Sequence, residues 1–446
     1  MKHEVFESRS VWKAIFTMTI PALITILVMI FYNMADMLFI GQLGNTSLIA
    51  GVSLISPVFS ILMALATMIG AGGSIIIASS FGEKNTDRAK GCASVCFWTN
   101  VLLGTLMIIL LNLFSSPLLE FLGARADTWE PALQYMRALS IGAPFMMVCT
   151  ASGTMVRAEG AVKEGLIGNM TGTVINLILD PLFILVFRWG VSGAAAATVI
   201  GNIAGTVYYL HYILARSSVM SVSVSKAGQY AGILREVIPL GVPNAVSTVL
   251  SGLASTFSHQ ILAGYGTDYL AAAAAAGRIN MLVTMLQMGI AMGVQPLLSY
   301  SFGARDFERM NEVLKKTMLL TTSVGVVMTA ICMTLRLPLI RLFLKTPEAA
   351  DIGARYVVWL MLGAVTLGLY YVSSNFLQAT KHAGAAIIVS ALRQGALLIP
   401  MLYIMHGLFG FWGIAYAHAA ADITAALTAL SVFLYFYRKT AAETRH

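Results

Sequence analysis

Residues 166–187 read LIGNMTGTVINLILDPLFILVF, and the aspartate inside that stretch, Asp180, decides how the chain must fold. Roughly 20 apolar residues of helix cross a bilayer, and this run meets that length. Hydrocarbon penalises a carboxylate, so an acid held in such a run turns toward a partner or a wet cavity and commonly serves as an ion or proton site. A second acid of the same kind, Asp36, sits in the apolar run 14–40.

The rest of the chain supplies more such runs. Of its 446 residues 58% are hydrophobic and 11% charged, with a mean hydropathy of +0.80; soluble domains carry about 25% charged residues. Twelve membrane-length runs can be marked, at 14–40, 48–80, 91–117, 130–156, 164–187, 192–215, 232–263, 269–301, 311–335, 352–379, 384–407 and 411–437. The first follows Arg9 and Lys13 as a secretory signal would. It is longer than a signal's apolar core and lacks a small-residue cleavage site, so it reads as a retained helix. The expected fold is an all-α polytopic membrane protein with twelve transmembrane helices.

The formal net charge of +8 does not point to nucleic acid. With the N-terminus inside, nineteen Lys and Arg fall in the segments on that side and seven in the opposite ones, while Arg278 and Arg393 lie within runs. That asymmetry predicts both termini in the cytoplasm and makes the surplus charge a matter of topology. The four cysteines, Cys92, Cys96, Cys149 and Cys332, all lie in apolar runs. Cys92 and Cys96 share a helix face, but no His or third thiol stands near them in sequence, so they read as small packing residues.

The chain repeats with a period near 220 residues. Ser80-Phe81-Gly82-Glu83-Lys84 closes the second run and Ser301-Phe302-Gly303-Ala304-Arg305 the eighth, each followed by a charged amphipathic stretch. Gly193-Ala194-Ala195-Ala196-Ala197-Thr198 opens the sixth run and Gly413-Ile414-Ala415-Tyr416-Ala417-His418 the twelfth; Asp180-Pro181-Leu182 is echoed by Ile399-Pro400-Met401. Six crossings per half keep both halves in one orientation, a parallel repeat of the sort that places substrate between halves. Two pseudo-symmetric six-helix bundles are therefore expected, residues 1–216 and 231–446, joined by a polar, Ser-rich cytoplasmic linker at 217–230. The small-residue clusters, such as Gly70 to Gly73 and Ala271 to Ala276, have neither the preceding strand nor the lysine that a nucleotide-binding loop requires, and read as helix-packing surfaces.

Helical spacing and topology place four polar groups of the first half in one layer near the outer side: Asp36, Asn176, Asp180 and Thr198. Asn176 and Asp180 share a face at i, i+4. Pro181 cannot donate a backbone hydrogen bond, which frees a carbonyl one turn earlier. Carboxylate, amide, hydroxyl and carbonyl are hard oxygen donors that suit a proton or a small cation such as Na+. Two carboxylates close together in a low dielectric resist joint ionisation and titrate as a unit. Such a pair can load a proton on one side and release it on the other. Pro21, in the run that holds Asp36, can hinge that helix.

The second half differs. Its main polar groups inside runs are His259, Gln287, Gln295, Asn375, Gln378, Arg393, His418 and Asp422. Arg393 and Asp422 fall near mid-membrane on consecutive helices, and a structural charge-cancelling pair is the expectation. No nucleophile, base and orienting group can be assembled from these motifs, so no enzyme is expected.

With these residues in place, the chain resembles the multidrug and toxic compound extrusion (MATE) family over nearly its whole length. The resemblance rests on the Ser-Phe-Gly-plus-charge loop at both positions, the segment from Asn176-Leu-Ile-Leu-Asp180-Pro181 through Gly193 to Thr198, and Asp36-Met-Leu-Phe39-Ile40-Gly41-Gln42-Leu43-Gly44. It is similar to the MepA-like branch with the acidic site in the N-terminal half. By that resemblance Asp36, Asn176, Asp180 and Thr198 form the proton or sodium site and Pro21 is the bending proline. It implies export of bulky organic cations and drugs against inward protons or sodium, in the inner membrane of a bacterium or archaeon, without a cofactor or an obligatory protein partner. One departure stands out. Where another branch carries acids on its seventh and tenth helices, this chain has Ser258-His259-Gln260 and Ser373-Ser374-Asn375, which argues against a cation site there. A lipid-linked sugar flippase of the same two-bundle plan is the alternative; such proteins carry more helices and a strongly cationic cavity.

Overall fold

The computed structural model describes residues 5–41, 46–344 and 346–443; the side chains of 30–41, 46, 47, 49 and 441–443 also lie outside that description. Twelve helices among the described residues are long and apolar enough to cross a membrane. They are α1 (Val11–Gly41), α2 (Thr46–Gly82), α3 (Thr86–Leu113), α4 (Ala126–Ala158), α5 (Val162–Val186), α6 (Gly190–Ala215), α7 (Leu234–Ala263), α8 (Thr267–Gly303), α9 (Phe307–Thr334), α10 (Pro347–Ala379), α11 (Ala383–Phe409) and α12 (Phe411–Glu443). Each coincides with one apolar run of the sequence. The all-helical, twelve-span fold expected from hydropathy is what the chain adopts.

The duplication is written into the backbone. Lys84 (φ 59°) and Arg305 (φ 56°) both take the left-handed conformation that ends α2 and α8. Beyond each, the next amide reaches back: Asn85 N to the Ser80 carbonyl at 2.8 Å, and Asp306 N to the Ser301 carbonyl at 3.0 Å. The same two residues then cap the following helix. Asn85 Oδ1 accepts from Arg88 N and Asp306 Oδ1 from Arg309 N, each at 3.0 Å. A stop and a start are thus made by one six-residue motif, with capping oxygens satisfying donors that the helix itself cannot. A short helix also follows the third long helix of each half, Ser115–Phe121 and Arg336–Arg341, each with a proline at its third position, Pro117 and Pro338. Composition alone did not announce these.

The chain divides into two compact units. Unit 1 comprises Met1–Glu7 with Ile24–Ala245, and unit 2 comprises Ser8–Leu23 with Val246–His446. Two of the three changes of membership fall inside α1 and α7, each two residues beyond a proline, Pro21 and Pro243; the third, after Glu7, precedes α1. In unit 1, α4 is the central helix and packs on α2, α3 and α6. Its buried stripe includes Ala143, Met147 and Ala151. In unit 2, α10 takes the same part against α8, α9 and α12, with Val357, Met361, Ala364 and Leu367 fully buried. Hydrocarbon offers no hydrophobic drive for helices to associate, so close van der Waals packing and interhelical hydrogen bonds carry the bundle. Gln287 donates to the Ala364 carbonyl at 2.9 Å, and Gln295 to Gln378 at 3.2 Å, tying α8 to α10.

The polar segment 217–230 folds against unit 1. It contains the helix Val224–Gln229, and Val219 and Met220 are buried. Trp98 Nε1 donates to the Val222 carbonyl (3.0 Å) and Ser94 Oγ to the Ser221 carbonyl (2.9 Å), while Lys226 pairs with Asp87 at 3.0 Å. Cys92 and Cys96 are buried, with sulfurs 3.9 Å apart beside Gly73.

Candidate functional site

The seam between α5 and α6 is a contact of bare backbone. A Cβ added at Gly201 would stand 2.5 Å from the Gly172 carbonyl oxygen, and one at Gly172 would stand 2.9 Å from that of Gly201. Only glycine permits so close an approach, the usual device by which small residues bring membrane helices together. The approach delivers Asn176 to Thr198. Asn176 Nδ2 donates to Thr198 Oγ1 at 3.2 Å, and the Thr198 hydroxyl donates to the Ala194 carbonyl at 3.0 Å. Asn202 Nδ2 then donates to the Thr198 carbonyl at 2.8 Å. The second amide atom of Asn176, Oδ1, is buried and has no hydrogen-bond partner among the described residues. It is an acceptor with capacity for a cation or a proton donor.

Asp180 follows one turn later on α5 and is fully buried. Pro181 interrupts the ladder there, and the chain answers with a π turn over Leu182–Val186, closed by Phe187 N to the Leu182 carbonyl at 2.9 Å. A wider turn next to a buried acid is a frequent mark of a functional position. Phe183, Phe187 and Trp189 stack beyond it, with ring centroids 4.9–5.9 Å apart, and separate Asp180 from the end of the helix. Of the four residues expected to converge, Asn176 and Thr198 are joined directly and Asp180 stands one turn along. Asp36 belongs to α1, and its side chain lies outside the described residues. Pro21 is half-buried within α1, whose helix runs through it unbroken.

Unit 2 holds a different arrangement. Arg393 Nε donates to Asp422 Oδ1 at 2.9 Å, with only 10% and 15% of the two side chains exposed. Arg393 Nη1 also donates to the Tyr371 hydroxyl at 3.2 Å. The guanidinium lies over two rings of α10, 5.0 Å from the centre of Tyr370 and 5.5 Å from that of Tyr371. It is carried on a π turn, Leu392–Leu397, which interrupts α11. Gly363 lets α10 close on α12 at this level; a Cβ there would be 3.1 Å from Asp422 Cβ. One turn before Asp422, His418 Nε2 meets Ser258 Oγ at 3.4 Å, whereas His259 is exposed and bonds the Ser255 carbonyl at 2.7 Å.

Sequence depth brought Arg393 and Asp422 to one level. It did not find the tyrosines, although adjacent Tyr370 and Tyr371 in an apolar run were a visible signal. Glu159, at the end of α4, was also missed. It is fully buried and accepts from the hydroxyls of Tyr212 and Ser217, the latter at 2.5 Å, which fixes the start of the 217–230 segment. Among the described residues no cluster of three His, Cys, Asp or Glu could hold a metal ion.

A model of the MatE family matches residues 21–182 and, a second time, residues 243–404. The chain belongs to the MatE family. The two MatE matches are equal in length and begin at Pro21 and Pro243, so the duplication read from the loops spans most of each half. Multidrug export protein MepA of Staphylococcus aureus (strain NCTC 8325 / PS 47) is 31% identical over 432 residues, covering 96% of this chain and 94% of that protein. Multidrug export protein MepA of Staphylococcus saprophyticus is 30% identical over 429 residues, with the same coverage. Among solved structures, an outward-facing multidrug resistance MATE transporter of the MOP superfamily matches with a TM-score of 0.92 at 22% identity, over 99% of this chain and 98% of that one. A MATE crystal structure in a bent conformation matches at 0.92 and 21% identity, over 100% and 99%. These structures share the MatE fold.

Proposed function

We propose that this MatE chain is a secondary active exporter of organic cations and drugs, driven by inward protons or sodium, in the inner membrane of a bacterium with both termini in the cytoplasm. The observation that carries the reading is the fully buried Asp180 one turn from the Asn176–Thr198 pair. Burial makes the ionised carboxylate costly, so its charge is steadied by a proton or a cation, and exchange between the two states is available to do work. The coupling ion is cargo. Asp180, the spare Oδ1 of Asn176, the Thr198 hydroxyl and Asp36 are the donors that would receive it, as hard oxygens fitted to H+ or Na+. Pro21 is the hinge through which α1 responds to loading. The full-length likeness to MepA proteins supports drugs as the outward cargo. A flippase for lipid-linked sugars would need strong positive charge at depth, and the runs of the first half hold no central Lys or Arg. The exporter is proposed to work as a monomer.

The test is efflux of a fluorescent organic cation from proteoliposomes under separately imposed proton and sodium gradients. One gradient should drive efflux in the wild type and fail to do so in Asp180→Asn, with the variant still folded. Wild-type efflux in Asp180→Asn, or flux indifferent to both gradients, would refute the reading.

A further inference from the structure

Arg393 and Asp422 stand ten or more residues from either end of α11 and α12. An ion pair at that depth is an expensive way to hold two helices together. Apolar residues of similar volume often do so equally well or better, so an intramembrane pair asks for a functional reason. The surroundings of Arg393 suggest one. A carboxylate oxygen at 2.9 Å, a tyrosine hydroxyl at 3.2 Å and two ring faces at 5.0 and 5.5 Å enclose a planar organic cation. Carboxylate plus aromatic faces is the chemistry by which proteins recognise weakly hydrated organic cations. A small inorganic ion asks instead for about six oxygen ligands, which two ring faces do not provide.

The guanidinium also stands on a π turn, a wider and weaker turn than an α turn. Return of such a turn to α-helical register rotates the residue by about 100° and would take Arg393 off the carboxylate.

We propose that Asp422, Tyr370 and Tyr371 form an organic-cation site within unit 2, that Arg393 is its resident, tethered cation, and that a cationic substrate takes the place of the guanidinium at the carboxylate. This rests on the exporter reading for its substrate class. It adds a second acid with a duty of its own, so that Asp180 handles the coupling ion and Asp422 the cargo.

Two measurements test it. The first is equilibrium dialysis of radiolabelled tetraphenylphosphonium against purified protein, which needs no transport. Removing the internal competitor in Arg393→Gln should tighten binding about tenfold, the scale of one partly desolvated cation–ring contact, and adding Asp422→Asn should abolish the gain. The second uses the charge-neutral double variant Arg393→Gln/Asp422→Asn, which leaves no buried charge unpaired and serves if the single variant does not fold. Its KM for tetraphenylphosphonium efflux should rise about tenfold while that for the uncharged dye Nile Red stays at the wild-type value. A KM unchanged for both probes, or raised equally for both, would overturn the site, as would dialysis in which Arg393→Gln binds no tighter than wild type. A wild type that moves neither probe ends the exporter reading alone, and the dialysis still decides the cation site.

Discussion

Unit 1 and unit 2 are two copies of one design, and they surround their intramembrane acids differently. In unit 1, Asp180 is fully buried, on a helix whose preceding turn presents an amide bonded to a hydroxyl. In unit 2, Asp422 is closed by a guanidinium at 2.9 Å. Both acids lie beside interrupted helices, one on α5 and one facing the π turn of α11. On the proposed function the difference lies in what each acid serves: in unit 1 a mobile ion that loads and leaves, whereas in unit 2 the acid pairs with a cation on a side chain. A duplicated membrane protein can in this way keep one architecture and give each copy a separate electrostatic role.

Breaking the unit 2 pair one residue at a time is the largest perturbation. Asp422→Asn or Arg393→Gln alone leaves a charge in the bundle and should cost about 3–5 kcal/mol of stability, while the double variant should recover most of it. Thermal unfolding in detergent, read as a double-mutant cycle, measures this. Independent, additive losses would erase the contrast between the units. A smaller effect is expected at the α5–α6 seam. Gly201→Val puts a side chain where even a Cβ would stand 2.5 Å from the Gly172 carbonyl, so α5 and α6 must part. A loss of about 1–3 kcal/mol is expected, together with the Asn176–Thr198 bond and gradient-driven efflux. A variant that loses stability but keeps full coupling would show that the bond is not part of the site. Smaller again, Thr198→Val keeps the shape and removes the hydroxyl that accepts from Asn176. Loss of the hydrogen bond should cost about 1 kcal/mol of stability, and loss of one oxygen donor of similar worth to the ion should raise the concentration of coupling ion for half-maximal efflux about fivefold.

Much of this was legible in the sequence because membranes simplify the reading. Apolar run length gives the helices directly, and the paired Ser-Phe-Gly loops announce the duplication that Lys84 and Arg305 then express in backbone angles. Arg393 and Asp422 could be set at one depth from residue counts alone. Which way a side chain faces could not be read so easily. A helix apolar on every side has no periodicity to mark its inner face, so the adjacent Tyr370 and Tyr371 stood out in the run without showing that they flank Arg393. The π turns were hidden for a related reason: Pro181 and Pro400 signal an interruption, but not that it is absorbed by one wider turn. Glu159 was obscured because a charged residue near a helix end ordinarily reaches water, whereas here two hydroxyls from α6 and the segment after it close over it. The change of unit within α1 and α7 has no compositional mark beyond Pro21 and Pro243, since the helices continue through both.

On the proposed function, energy coupling belongs to the acid of unit 1 and not to that of unit 2. Proteoliposomes carrying wild type, Asp180→Asn or Arg393→Gln/Asp422→Asn, each given the same imposed proton or sodium gradient, test this most directly through the uptake of that ion when drug is added. Drug-evoked ion movement should vanish in Asp180→Asn and persist in the double variant once drug is raised above its new KM. Persistence in Asp180→Asn, or loss in the double variant at saturating drug, would contradict that assignment.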